Sequence, residues 1–200
     1  MQAAMKQAAE EKKDLLLDFT GSDWCGWCIR LNEEVFSQQP FKAVKDDFVL
    51  VELDFPRDDS KLSPETKKQN AQWRDKLGVR GYPTIFLCSA DGEPYAQTGY
   101  RRGGAEAYGA HLDELREAKA KLDKTLAGLN DAQGEAKARL IDEALTAADA
   151  GLILKNRDEL MAEVVKLDPE NKLGLRNKYQ LKVGESEIDE LAGAQKFKEA

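Results

Sequence analysis

Two cysteines directly behind an apolar run constrain this chain more than any other feature. The segment from Asp14 to Cys28 reads DLLLDFTGSDWCGWC. Its almost continuously apolar start, Asp14–Phe19, predicts a strand buried on both faces in a partly parallel sheet. Apolar residues then recur at roughly helical spacing behind Cys28, which predicts a helix that begins at the cysteine pair. Cys25 is therefore expected at the N-terminus of a helix that follows a core strand.

The spacing of the two cysteines favours redox chemistry. A helix N-terminus offers unpaired N–H groups and the positive end of the helix dipole, and both stabilise a thiolate at Cys25. The thiolate is the reactive form in disulfide exchange. Cys28 follows one turn later on the same helical face, where it can attack a mixed disulfide held on Cys25. We therefore predict that Cys25 is the attacking thiol and Cys28 the resolving thiol.

Two other roles for the cysteine pair fit the sequence less well. A metal site needs further soft ligands, and only Cys88 and His111 remain, at no recognisable zinc spacing. A purely structural disulfide would close a very short loop and constrain the unfolded chain little. We predict no metal, and no cofactor beyond the redox-active disulfide Cys25–Cys28. Cys88 is expected to be a small buried apolar residue.

Charge and hydropathy argue against two classes of partner. The 200 residues carry a formal net charge of −7. A nucleic-acid partner is not expected, because a phosphate backbone requires a basic face. No window approaches the roughly 18 uninterrupted apolar residues that a membrane helix needs. The sequence therefore predicts no membrane span.

The composition changes near residue 104. An N-terminal helix comes first, and strand and helix patterns then follow in the order β, α, β, α, β, β; only helical patterns come after residue 104. We predict a domain over residues 1–127 and an α-helical extension over 128–200. In this extension Asp168 and Pro169 are predicted to begin the fourth helix, as N-cap and first residue. Its sequence loosely resembles one tetratricopeptide hairpin.

Two motifs in a fixed order resemble the thioredoxin superfamily. LLLDFTGSDWCGWC matches the cysteine motif behind the first core strand, and GVRGYPT matches the cis-proline loop before the third. The resemblance covers about residues 14–125. It implies an α/β thioredoxin fold, with a central mixed sheet flanked by helices, here followed by the α-helical extension. The form FTGSDWCGWC is most similar to bacterial thioredoxin-like proteins that are secreted and handle disulfides.

The resemblance assigns roles to individual residues. Pro83 matches the cis-proline whose loop faces the cysteines and pairs with an extended substrate; a trans proline that caps the strand is the alternative. Tyr82 should border the substrate groove, and Trp24 is the family's aromatic residue before the first cysteine. Asp18 falls near the buried carboxylate that accepts the proton of the resolving cysteine, unless it turns to solvent. Such a carboxylate in an apolar run is expected to have a raised pKa.

The sequence departs from the family pattern at three places. The spacing from Asp18 to Cys25 is one residue longer than in thioredoxin, which would offset the carboxylate. Glu52 stands where thioredoxins carry a lysine beside the buried carboxylate. If Asp18 and Glu52 both point inward, their repulsion would raise the pKa of one of them. Trp27 replaces a proline or a histidine. Because tryptophan brings no charge to the Cys25 thiolate, we expect a reducing or intermediate potential. Its indole either contacts unfolded substrate or shields the disulfide.

These features predict a protein thiol–disulfide oxidoreductase that reduces or isomerises disulfides in other proteins. Its partners would be protein thiol or disulfide substrates and an upstream thiol reductant. The alternative is a redox-regulated adaptor whose helical extension binds a dedicated partner. The simpler expectation for residues 128–200 is that they pack on the fold or form a dimer. We expect a location in the periplasm or cell envelope with the signal removed, and the cytoplasm is the alternative. Arg101 and Arg102 are expected in a solvated loop, and a role in binding an acidic partner is the alternative.

Overall fold

The computed structural model describes residues 1–147 and 149–182, which form one sheet and a series of helices. The strands are β1 (Asp14–Thr20), β2 (Phe48–Asp54), β3 (Thr84–Cys88) and β4 (Pro94–Thr98). The α-helices are α1 (Gln2–Glu11), α2 (Gly26–Leu31), α3 (Pro64–Lys76), α4 (Gly104–Gly128), α5 (Gly134–Thr146), α6 (Ala150–Ile153) and α7 (Arg157–Leu167). Residues 175–182 are also helical. The predicted order of strands and helices is confirmed.

Strand β1 lies inside the sheet, whose strand order is β2-β1-β3-β4. It pairs in parallel with β2 and antiparallel with β3. Leu15, Leu16 and Leu17 are all buried, as expected for a strand covered on both faces. Strand β4 pairs antiparallel with β3 and forms an edge. The predicted mixed sheet is therefore confirmed, and its most apolar strand leads directly to the cysteines.

The ends of α3 follow the capping signals in the sequence. The Ser63 hydroxyl accepts a hydrogen bond from the Thr66 N–H at 3.2 Å, and Pro64 occupies the first helical position. Gly78, just beyond the helix, has a φ of 64°. A residue with a Cβ adopts this left-handed conformation at a cost, so glycine stops the helix here.

The helical segment behind Cys28 differs from the prediction. It is divided into α2, a π-helical turn over Asn32–Phe36 and a 3₁₀-helix over Gln39–Asp46. The π-helical turn ends at Phe36, and Pro40 lies in the first turn of the 3₁₀-helix. A proline is accepted in a first turn because its absent N–H has no partner there in any case.

The chain divides into two compact units, residues 1–117 and residues 118–200. The division falls inside α4, whereas the sequence places the domain limit between residues 127 and 128. Those domain limits remain a prediction. In the described part of the second unit, α5 and α7 share a buried apolar core. Its most buried members are Ala138, Ile141, Ala144, Val164 and Tyr179.

Asp168 does not begin a helix as predicted. Helix α7 ends at Leu167, and the next helical residues are 175–182. The Asp168 carboxylate instead reaches over the intervening turns and accepts hydrogen bonds from the N–H groups of Leu173 and Leu175, at 3.0–3.2 Å. Asp168 therefore caps the start of the helix at residues 175–182, although it is not part of that helix. The remainder of the predicted extension, residues 183–200, lies outside the described residues.

Replacing Asp168 with alanine should destabilise the second unit, because the buried N–H groups of Leu173 and Leu175 lose their acceptor. We expect the midpoint of thermal unfolding, followed by circular dichroism, to fall by several degrees. Asp131→Ala, at an exposed turn, is the matched control and should leave the midpoint nearly unchanged. Equal midpoints for the two variants would contradict the assigned role of Asp168.

Candidate active site

Cys25 and Cys28 form a disulfide at the start of α2. The S–S distance is 2.10 Å and the Cα atoms lie 5.2 Å apart. Cys25 is the N-cap of the helix, and its Sγ accepts a hydrogen bond from the Cys28 N–H at 3.2 Å. Cys25 exposes 6% of its surface and Cys28 4%. The predicted position of the pair at a helix N-terminus is therefore confirmed.

The extra residue in the TGSD turn is held by hydrogen bonds to the end of β2. The N–H and hydroxyl groups of Ser22 donate to the Asp54 carboxylate at 2.8 and 2.6 Å. The Asp23 carboxylate accepts from the Arg57 and Asp58 N–H groups at 2.9 and 3.1 Å. The hydrogen bond from Arg57, with those from Asp58 and Lys61, lowers the pKa of Asp23 to about 2. The turn before the cysteines is thus anchored at two successive residues.

Trp24 forms one aromatic wall beside the disulfide. Its indole N–H donates to the Phe55 carbonyl at 2.8 Å, and its ring meets the Tyr82 ring edge-on at a centroid distance of 5.7 Å. Phe55 and Tyr82 also lie in contact, with ring centroids 5.3 Å apart. A Cβ atom on Gly21 would lie 2.5 Å from the Trp24 ring. The indole therefore occupies space that only a glycine leaves open.

Trp27 forms a second aromatic wall, with Tyr100. The two ring centroids are 5.1 Å apart, and the Arg30 guanidinium lies 5.7 Å from both of them. Glu34 accepts hydrogen bonds from Arg30 at 2.6 Å and from the Tyr100 hydroxyl at 2.7 Å. The indole still exposes 52% of its surface. Trp27 is therefore held in a defined position and is accessible to a partner.

Pro83 lies next to the Tyr100 loop. The Tyr82–Pro83 peptide bond is cis, as the family resemblance implies. A Cβ atom on Gly99 would lie 3.1 Å from the Pro83 carbonyl oxygen, so the two loops approach each other closely. Tyr82 contacts Trp24, and Gly99 directly precedes Tyr100. The cis-proline loop thereby connects the two aromatic walls.

Asp18 shares a cavity of about 150 Å³ with Cys28. Its Oδ1 atom is buried and accepts no hydrogen bond from the described residues. Glu52 is the register partner of Asp18 on β2 and lines the same cavity. Burial, followed by the charges of Glu52 and Asp54, raises the pKa of Asp18 to about 7. With the longer turn, Asp18 still lines the same cavity as Cys28.

Cys88 and His111 lie away from the pair. Cys88 is fully buried in β3, and burial raises the pKa of its thiol to about 12. His111 exchanges a hydrogen bond with the Thr98 hydroxyl at 3.1 Å and contacts the Tyr108 ring. Within residues 1–147 and 149–182, His, Cys, Asp and Glu side chains form no group that could hold a metal ion.

Several residues around the disulfide are not predicted by the sequence. Ser22 and Asp23 look like ordinary turn residues, and their anchors lie more than thirty positions away. Tyr100 follows a strand and carries no motif. One local signal was available: the i, i+4 spacing of Arg30 and Glu34 on a helix predicts an ion pair. It does not predict that both side chains also contact Tyr100.

Comparison with known families agrees with this arrangement. The sequence pattern of the thioredoxin-like domain matches residues 1–116. The chain belongs to the thioredoxin-like domain family. A solved structure of a DsbH oxidoreductase superimposes with a TM-score of 0.54 at 29% identity, over 56% of this chain and 78% of that one. The predicted fold is therefore confirmed for this region.

Two relatives from Chlamydia pneumoniae match the thioredoxin-like part of the chain. The disulfide bond reductase DsbH is 33% identical over 107 residues, which are 52% of this chain and 63% of that protein. The thioredoxin-related protein DsbJ is 30% identical over 89 residues, which are 44% of this chain and 25% of that protein. The match thus spans less than two thirds of either relative.

A methyl group on Gly21 should displace Trp24 and break its hydrogen bond to Phe55. We expect Gly21→Ala to lower the free energy of unfolding by about 1–3 kcal/mol, as overpacking commonly does. Tryptophan fluorescence should report the altered position of the indole. Gly26→Ala is the matched control, because a Cβ atom there meets no other atom within 4 Å. Similar stability of the two variants would contradict the close approach.

Proposed function

We propose that this thioredoxin-like protein is a thiol–disulfide oxidoreductase that reduces disulfides in other proteins. The Cys25–Cys28 disulfide at the start of α2, between two exposed aromatic walls, carries the proposal. The relative DsbH is named a disulfide bond reductase, which supports the reducing direction. We place the activity in the periplasm or cell envelope, where secreted relatives of this form handle disulfides. No described helix is both long and apolar enough to cross a bilayer.

Reduction begins with attack on the substrate. The Cys25 thiolate attacks one sulfur of a substrate disulfide, forms a mixed disulfide and releases the other sulfur as a thiolate. Cys28 then loses its proton and attacks the Cys25 sulfur, which closes the Cys25–Cys28 disulfide and releases the second substrate thiol. The substrate gains two electrons and two protons in total. An upstream thiol reductant returns the protein to the dithiol.

Asp18 is the proposed acceptor of the Cys28 proton. It is the carboxyl group with a buried, unpartnered oxygen in the cavity that Cys28 lines. A general base works best when its pKa lies near the operating pH, and burial beside Glu52 raises the pKa of Asp18 to about 7. In the reverse direction the protonated group returns the proton as Cys28 leaves. Glu52 acts only through its effect on Asp18.

Trp24, Trp27, Tyr82 and Pro83 form the proposed substrate-binding surface. Trp24 and Trp27 expose 38% and 52% of their surfaces next to a disulfide that is itself almost buried. A substrate must therefore contact the rings in order to reach Cys25. The cis-proline loop, which lies between the rings of Trp24 and Tyr100, offers backbone groups to an extended segment.

Substitution of the cysteines tests the reaction. With dithiothreitol as electron donor, Cys25→Ser should abolish turnover of insulin disulfides, because no thiolate remains to attack them. Cys28→Ser should accumulate a mixed disulfide on Cys25, visible by non-reducing electrophoresis and mass spectrometry. Cys88→Ala is the control and should retain turnover, since Cys88 is fully buried. Undiminished turnover by Cys25→Ser would falsify the proposal.

The role of Asp18 predicts a specific pH dependence. Its carboxylate form predominates above about pH 7, so the rate of mixed-disulfide resolution should rise as the pH increases through 7. Asp18→Asn should remove this rise and slow resolution about 10²-fold. Glu52→Gln removes one cause of the raised pKa, so the rise should persist at a lower pH. Stopped-flow measurement of resolution distinguishes the three proteins.

Asp18→Asn should also change the stability of the protein, which can be measured independently of the redox reaction. The pKa of Asp18 is raised from 3.8 to about 7 in the folded protein, so folding binds the proton and stability falls as the pH rises between these values. Asp18→Asn should therefore raise the midpoint of thermal unfolding at pH 8 in the oxidised protein. A lower midpoint at pH 8 would show that Asp18 faces solvent or has a partner.

A further inference from the structure

Arginine is concentrated around the disulfide. The chain contains ten arginines, and six of them lie between residues 30 and 102, the part of the chain that also supplies the aromatic rings Phe55, Tyr82 and Tyr100. They are Arg30, Arg57, Arg74, Arg80, Arg101 and Arg102. The chain as a whole has a net charge of −7. Residues 30–102 as a whole have no net charge, because Asp and Glu are as numerous there as Lys and Arg, so the negative charge of the chain lies outside this stretch.

Three of these arginines lie on the aromatic walls. Arg57 lies 5.5 Å from the centroid of the Trp24 ring, and Arg74 lies 5.6 Å from that of Phe55. Arg30 lies 5.7 Å from both Trp27 and Tyr100. A guanidinium that rests on a ring keeps N–H groups for a further acceptor. Arg30 is paired with Glu34 and Arg74 with Asp75, so Arg57 is the one of these three that forms no ion pair among the described residues.

Four arginines of these loops form no close ion pair among the described residues, although the charge of Arg102 contributes to lowering the pKa of Glu34. Arg57, Arg80, Arg101 and Arg102 are exposed and form no ion pair there. Each lies on a loop that also brings an aromatic ring to the site. Arg101 and Arg102 directly follow Tyr100, Arg80 lies two residues before Tyr82, and Arg57 contacts Trp24. We call these four residues the arginine collar.

The acidic residues nearby are occupied by other groups. Glu34 binds Arg30 and Tyr100, and Asp23 binds Lys61 and two backbone N–H groups. Asp54 accepts from Ser22. Asp58 accepts from the backbone and hydroxyl of Ser60. Glu33 and Glu52 line the cavity beside Cys28. These carboxylates keep their charge, but none of them forms a close ion pair with the collar, so the guanidinium N–H groups of the collar can still bind an external carboxylate.

We propose that the arginine collar selects protein substrates with acidic residues next to their disulfide. This inference rests on the proposed reductase function and names its substrate class. Carboxylates of the substrate would pair with the guanidinium groups of the collar, while apolar side chains contact Trp24 and Trp27. The net negative charge of the rest of the chain repels an acidic partner, so the collar also directs its approach to the cysteines.

Two peptides with the same disulfide test this selectivity. One carries glutamates on both sides of its cysteines and the other carries lysines. The wild-type protein should reduce the glutamate peptide with a kcat/KM about tenfold higher or more, mainly through KM, and the difference should shrink at high ionic strength. Arg101→Gln with Arg102→Gln should reduce the ratio several-fold. Lys124→Gln with Arg139→Gln removes the same charge from exposed sites in the second unit and should preserve the ratio.

An uncharged small disulfide separates this inference from the proposed function. If the wild-type protein reduces neither peptide and also fails to reduce hydroxyethyl disulfide, the reductase function itself is wrong. If it reduces both peptides equally at low ionic strength, the collar does not select acidic substrates, and the reductase function stands. If the ratio of the two kcat/KM values falls equally in the collar variant and in its control, net charge causes the selectivity. That result would overturn the proposed role of the collar.

Discussion

The pairing of β1 with both of its neighbours brings the main segments of the site together. Because β1 pairs in parallel with β2, the two strands end at the same edge of the sheet, where β1 continues into the cysteine turn and β2 into the segment that binds Trp24. Antiparallel β3 begins at that edge, directly behind Pro83. Three segments distant in sequence therefore meet at the disulfide. The register also sets Asp18 against Glu52 beneath it.

The site contains two electrostatic environments that serve different steps. Acidic groups line the cavity at Cys28, where burial and like charge favour the protonated form of Asp18. Arginines lie on the aromatic rings at the surface that a substrate would approach. In the proposed mechanism, proton transfer would take place inside the protein and substrate recognition at its surface. Cys25 and Cys28 lie between the two environments.

Local patterns predicted most of the fold, and long-range contacts account for the differences. The apolar run of β1, Ser63 with Pro64, and Gly78 each act within a few residues, so the sequence reveals them. Asp168 has the local features of an N-cap, yet its acceptor oxygens reach N–H groups five to seven positions away. At the site, the cysteine motif identified the reactive pair. Tyr100 joined it only through the approach of two loops, which no local pattern encodes.

We expect the environment of the cysteines to favour the disulfide over the dithiol, in line with the proposed reduction of substrates. A strong oxidant is made when nearby positive charge stabilises the reduced thiolate. Trp27 is uncharged, and the charge of Arg30 beside it is balanced by Glu34. At Cys28 the nearby charges are acidic and oppose a second thiolate. The Cys25 thiolate is therefore stabilised mainly by backbone N–H groups such as that of Cys28. With so little stabilisation of the dithiol form, electrons should flow from this protein to its substrates.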